Sequence, residues 1–148
     1  MTRSEWMLTF VLRWVGTVAS LAIIAVVMPR AWMAACHEWL GLGPFPEGPI
    51  VEYLARTLSM FYAFLGFLFW LASRDVRRHA DMISVFGGLL IVFGVSVLVI
   101  DIVLGMPRFW IAGEGPMTML IGSLFLVLAG RVRAESASSR SQGGPSQP

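Results

Sequence analysis

The sequence predicts an all-α integral membrane protein, a four-helix bundle made of two tandem helical hairpins. Three observations carry this. Apolar residues are 57% of the 148-residue chain and charged residues 14%, too little polar surface for a water-soluble fold of this size. The charges collect between four long apolar runs, and about 20 residues of helix suffice to cross hydrocarbon. A two-part signature recurs: Met28-Pro29-Arg30-Ala31-Trp32 and Met106-Pro107-Arg108-Phe109-Trp110 each close an apolar run. Each is followed by Glu-Gly-Pro (47–49 and 114–116) before the next run.

The first helix is expected at about 6–28, with Arg13 near its start. Arg3 before an apolar stretch and Ala-Trp-Met-Ala-Ala after it also fit a signal peptide. The same Met-Pro-Arg-x-Trp ending closes the third run, which cannot be a signal, so a retained helix is expected. Trp32, Met33, Cys36 and Trp39 then recur at helical spacing. They predict an interfacial helix over about 31–40, broken by Gly41, Gly43, Pro44 and Pro46.

The second helix is expected at about 50–73 and the third at about 82–104, with no charge from Met82 to Ile100. The fourth, about 117–132, is the shortest and suits a locally thinned bilayer or length borrowed from its flanks. Residues 1–133 therefore form the transmembrane domain. Residues 134–148 are polar, small and Pro/Gly-bearing, and predict a disordered cytoplasmic tail.

In the repeated signature, proline ends the incoming helix because it lacks a donor and clashes with the preceding turn. Arg30 and Arg108 then reach lipid phosphates, while Trp32, Trp39 and Trp110 anchor at headgroup depth. Gly-Pro starts the outgoing helix, with glutamate at the positive end of its dipole. Stop and start codes recurring in one order predict an internal repeat about an axis along the membrane normal.

Arginine placement sets the orientation. Arg3, Arg13, Arg74, Arg77, Arg78, Arg131, Arg133 and Arg140 fall on one side, and Arg30, Arg56 and Arg108 on the other. Both termini are therefore expected in the cytoplasm. All basic residues are Arg, a usage that fits a GC-rich bacterial genome, so the expected location is a bacterial inner membrane. The net charge of +2 gathers at helix ends. Membrane lipids are thus the expected partners and nucleic acid is not. A homodimer or larger membrane complex is the expected assembly, because four short helices enclose little volume.

Small and polar residues associate helices in lipid. Such stripes run through Arg13, Gly16 and Ser20; through Glu52, Arg56, Ser59, Ala63 and Gly66; through Gly87, Gly94 and Asp101; and through Thr118, Gly122 and Ala129. Arg56 and Asp101 each lie six residues inside a helix end, about 9 Å below the outer surface at 1.5 Å per residue. A charge at that depth calls for a partner. The expected cluster is Glu52, Arg56 and Asp101, capped by Tyr53, with His37 over its mouth. It is read either as an outward polar pocket for a small ligand or proton, or as an ion pair fixing helix register.

Adjacent Cys36, His37 and Glu38 point in different directions on a helix, so no metal site is expected. No His lies in a spanning run, so no haem or other cofactor is expected. His79 in the cytoplasmic turn is expected to be solvated, and Arg13 to snorkel or to pair with Asp81. No phosphate loop or hydrolase motif occurs.

The stretch Tyr53-Leu-Ala-Arg56-Thr-Leu-Ser59-Met-Phe-Tyr62-Ala-Phe-Leu-Gly66, followed by Ser73-Arg-Asp75-Val-Arg-Arg78-His79, resembles the DoxX-like and BphX-like families. These are small four-helix bacterial membrane proteins. The resemblance implies a core of that size and assigns no activity and no functional residues. The expected function is a binding or accessory subunit rather than an enzyme. The alternatives are a small transporter or proton-coupled carrier component, and a membrane enzyme acting on a lipid or quinone through Glu52, His37 or Asp101.

Overall fold

The computed structural model describes residues 1–142, with side chains as far as Ser139. Among these residues there are six helices and no strands: α1 Arg3–Ser20, α2 Ile23–Val27, α3 Arg30–Trp39, α4 Pro49–Ala72, α5 Ala80–Leu104 and α6 Arg108–Gln142. Four segments are long and apolar enough to cross a membrane: Arg3–Val27, Pro49–Ala72, Ala80–Leu104 and Arg108–Ser139.

Many bulky side chains of these segments face outward, although Leu8, Leu12, Phe69, Ile83 and Phe125 are buried. Phe61, Phe64 and Phe67 of α4 and Val92, Val99 and Val103 of α5 are all exposed. Soluble monomers rarely carry so large an apolar surface, whereas in lipid it needs no cover. With lipid as the solvent, apolar burial does not drive the helices together; close packing of small residues does.

The chain divides into two compact units, Met1–Val11 with Ala72–Pro148, and Leu12–Leu71. In the first unit α5 and α6 pack antiparallel along a glycine seam. A Cβ on Gly87 would lie 2.7 Å from the Gly122 carbonyl oxygen, and one on Gly94 would lie 2.8 Å from that of Gly115. Both glycine pairs are seven residues apart, two helical turns, so the contact repeats down the seam. Ile83, Phe125, Ala129 and Val132 are buried in this unit.

In the second unit α1 meets α4 where Gly16 faces Gly66. A Cβ on Gly16 would lie 2.8 Å from the Gly66 oxygen, so the backbones touch. The Trp70 indole N–H donates to Thr17 Oγ1 at 3.0 Å. Arg13 lies over the Trp70 ring, 5.3 Å from its centroid, a cation–π contact. Asp81, the acidic partner considered for Arg13, is bonded by Arg133 at 2.8 Å.

Four expectations about the elements change. The first run is not one helix. Ala22, Ile24 and Ala25 bond back three residues, to Ala19, Leu21 and Ala22, which tightens the chain between α1 and α2.

Secondly, the proline of Met-Pro-Arg-x-Trp not only follows the end of one helix but also opens the next. Pro29 has extended ψ at 144° and Arg30 begins α3; Arg108 begins α6 just after Pro107. The Pro29 carbonyl accepts from Trp32 and Met33, and the Pro107 carbonyl from Trp110 and Ile111. Proline suits this place because its missing donor would be an orphan at any helix start.

Thirdly, Glu114-Gly115-Pro116 starts nothing: α6 begins at Arg108 and carries Pro116 inside it, so the fourth helix is far longer than 117–132. Fourthly, α6 continues to Gln142, so the structure carries helix through residues 134–142, where a coil was expected. Ser136, Ser138 and Ser139 turn their hydroxyls onto carbonyls four residues back, so their polarity is satisfied within the helix. The rest of the expected tail, 143–148, lies outside the described residues.

Candidate functional site

Two helix ends in the second unit decide the position of Arg56. The break before Ile23 leaves α2 only five residues long, and Pro29 cannot donate to it. Its final carbonyls therefore need an outside donor. Arg56, half-buried on α4, supplies it: its guanidinium donates to the carbonyl of Val26 and, at 3.0 Å, to that of Met28. The same group binds Glu52 Oε1 at 2.5 Å, one turn back along α4. A cation at the negative end of a helix is also favoured by the dipole.

The expected Arg56–Asp101 couple is therefore not among the ion pairs of the described residues. Asp101 lies in the first unit on α5, 5% exposed, with Oδ2 buried and without a hydrogen-bond partner there. Its backbone carbonyl closes the end of α5, accepting from Met106 at 2.9 Å. The glycine register (87 with 122, 94 with 115) brings 101 to the level of 108, where the positive end of α6 begins. That level is also the level of Arg108, yet no ion pair joins Asp101 to it among the described residues.

The other members of the expected cluster are spread out. Tyr53 is 61% exposed, and no hydrogen bond joins it to Glu52 or Arg56 among the described residues. His37 turns onto its own loop: its Nδ1–H donates to the Gly43 carbonyl at 2.8 Å, and its ring stands edge-on to Phe45 at 5.5 Å. That loop begins with Gly41 in a left-handed conformation (φ 72°), where Leu42 N–H bonds His37 O and Gly41 N–H bonds Glu38 O. Cys36 is exposed. Among the described residues no three His, Cys, Asp or Glu side chains are grouped to hold a metal ion.

The residues expected to anchor at the interface lie at helix ends. Arg30 and Trp32 sit in the first turn of α3 and Trp39 in its last; Trp32 and Trp39 are exposed. Arg108 and Trp110 sit in the first turn of α6, and the Trp110 indole N–H donates to Glu114.

A second polar constellation, entirely in the first unit, was not foreseen. Glu5, buried at the start of α1, pairs with Arg77 of the α4–α5 turn. Ser4 Oγ donates to Glu135 Oε1 at 2.6 Å, tying the first turn of α1 to the last third of α6. Arg133 and Asp81 tie α6 to the start of α5. His79, the residue before α5, is half-buried with Nδ1 buried and unpartnered among the described residues, so it is not simply solvated.

Beside these pairs lies an open cavity of about 570 Å³, lined by Asp75, Arg77, Arg78, Ser136 and Ser139. Arginine counting had used Arg77 and Arg78 only for orientation. Glu5, an acid placed directly before an apolar run, was the one legible hint that a basic partner was needed. Ser136 and Ser139 fell in the segment expected to be disordered.

No family model matches the chain, and no match was found among curated proteins or solved structures. The likeness to DoxX-like and BphX-like proteins rests on the quoted residues alone.

Proposed function

We propose that the protein is a multi-pass inner-membrane protein with both termini in the cytoplasm, a four-helix bundle of two tandem hairpins acting as a binding or accessory subunit without catalytic chemistry. The observation that carries this is the use of Arg56. This basic group, set inside an apolar segment, is spent on Glu52 and on two orphan carbonyls of its own unit. A guanidinium so committed holds a helix end in place and offers nothing to a passing solute.

The test is reconstitution in sealed vesicles with solute and proton flux measured against empty vesicles. No flux above background is expected, while Arg56→Met lowers stability. Cysteine accessibility at positions 79 and 36 checks orientation: labelling of residue 79 from outside the cell would reverse the topology.

A second reading, a small proton-coupled carrier component, is favoured by Asp101. An ionisable side chain buried in an apolar helix, with an oxygen lacking a partner, is a functional-site hypothesis in its own right. Flux that disappears in Asp101→Asn would select this reading over the first.

A further inference from the structure

The cavity at the cytoplasmic end of the first unit has features of an anion site. It lies between the turn that links two membrane-spanning segments, α4 ending at Ala72 and α5 beginning at Ala80, and the last turns of a third, Arg108–Ser139. Its walls therefore stand at headgroup depth. Two guanidinium groups line it against one carboxylate, Asp75, and that carboxylate already accepts from the Arg78 backbone N–H at 3.0 Å.

The two arginines differ. Arg77 is neutralised by Glu5. Arg78 is exposed, and its guanidinium has no hydrogen-bond or ion-pair partner among the described residues. A guanidinium is shaped for two-point binding of phosphate. Basic pockets between helices on the cytoplasmic side are suited to acidic headgroups, and the volume is that of an ordinary small-ligand site. Ser136 and Ser139 add polar walls. The negative end of the α6 dipole opposes an anion, but that effect is confined to the last turn, which only Ser139 enters.

We infer that this cavity binds a phosphate-bearing anion through Arg78, with Arg77 held by Glu5 as its wall; the phosphate is that of an acidic phospholipid headgroup or is free in solution. The inference deepens the accessory-subunit reading and rests on its placing of the turn at a cytoplasmic membrane surface.

The test uses the full chain purified in a neutral detergent and titrated, by native mass spectrometry, with short-chain phosphatidylglycerol, short-chain phosphatidylcholine and inorganic phosphate. Phosphatidylglycerol is expected to bind the wild type and to bind Arg78→Gln about tenfold more weakly, the loss of one charged hydrogen-bonding group. Phosphatidylcholine, whose phosphate is internally neutralised, is expected to bind no better than Arg78→Gln binds phosphatidylglycerol.

Phosphate that binds as tightly as the lipid and competes with it would support the site and assign it to the soluble anion. Ser136→Leu, which fills the cavity without changing charge, gives a second arm if Arg78→Gln fails to fold. Lipid binding unchanged in both variants, or equal for the two lipids, overturns the inference. Release of the protein from membranes by alkaline carbonate would instead overturn the membrane reading beneath it.

Discussion

The two copies of the repeated signature are spelled alike and built differently. In both, the proline carbonyl receives the first bonds of a new helix, at Trp32 and Met33 in one copy and at Trp110 and Ile111 in the other. They part on either side of that shared turn. Before the second copy, α5 ends on Gly105 with φ 67°, and its last carbonyls are bonded by Gly105 and Met106 from within the chain. Before the first copy no glycine is present, and Arg56 reaches across from α4 to do the same work.

After the shared turn the copies diverge again. Glu47-Gly48-Pro49 lies at the start of α4, with Gly48 at φ 115° and open space where a Cβ would go. Glu114-Gly115-Pro116 lies inside α6, where Gly115 is needed for another reason: a Cβ there would meet the Gly94 carbonyl oxygen at 2.8 Å. One glycine is present for its backbone angle and the other for its missing side chain.

The contrast can be pressed by mutation, and the seam should give the largest effect. Gly87→Leu combined with Gly94→Leu drives two side chains into the backbone of α6 and is expected to cost about 1–3 kcal/mol per site. Gly113→Leu and Gly130→Leu on α6, where nothing lies within 4 Å, should be close to neutral. Unfolding measured in detergent or bicelles separates the two pairs; equal effects would mean that the helices do not meet at these glycines.

Next comes the second proline. Pro116→Ala restores a donor inside α6 and is expected to raise stability by up to about 3 kcal/mol. Pro49→Ala, at the first position of α4, should change it by less than about 0.5 kcal/mol, since no helical bond is lost there. If the two substitutions behave alike, both prolines are helix starts and the two copies are equivalent after all.

Arg56→Met leaves Glu52 without its cation and the Val26 and Met28 carbonyls without a donor, at an expected cost of about 2 kcal/mol. Protease cleavage near Met28 should rise with it. Its counterpart is Gly105→Ala, which strains a left-handed position for about 1 kcal/mol and leaves Arg56 untouched.

The smallest effect belongs to the tryptophans. Trp110→Phe removes the donor to Glu114 and is expected to cost about 1 kcal/mol, whereas exposed Trp32→Phe removes no such bond. Matched melting curves of the two variants would test it.

Much of this protein is legible in the linear chain, for a physical reason: lipid admits few solutions, so an apolar run of sufficient length announces a helix by itself. The small-residue stripe Gly87, Gly94 and Asp101 is buried as its spacing implies, and so are Ala63 and Gly66 on α4. The ends of the helices were not legible. A proline after an apolar run marks the stop of one helix, but that it also starts the next is seen only in the bonds its carbonyl accepts. Small, polar residues after Arg133 are equally compatible with a coil and with a helix whose serines bond back onto it.

The amino-acid pattern alone determined four apolar segments, their all-helical class and the small residues on which helices meet, because these follow from local hydropathy and side-chain volume. Only the tertiary structure decided who answers whom: Arg56 to two carbonyls some thirty residues away in sequence, Glu5 to Arg77, and Ser4 to Glu135. Charges within such segments need partners, but composition does not say which. That choice depends on where each helix ends, and a helix end is fixed by hydrogen bonds that arrive from elsewhere in the chain.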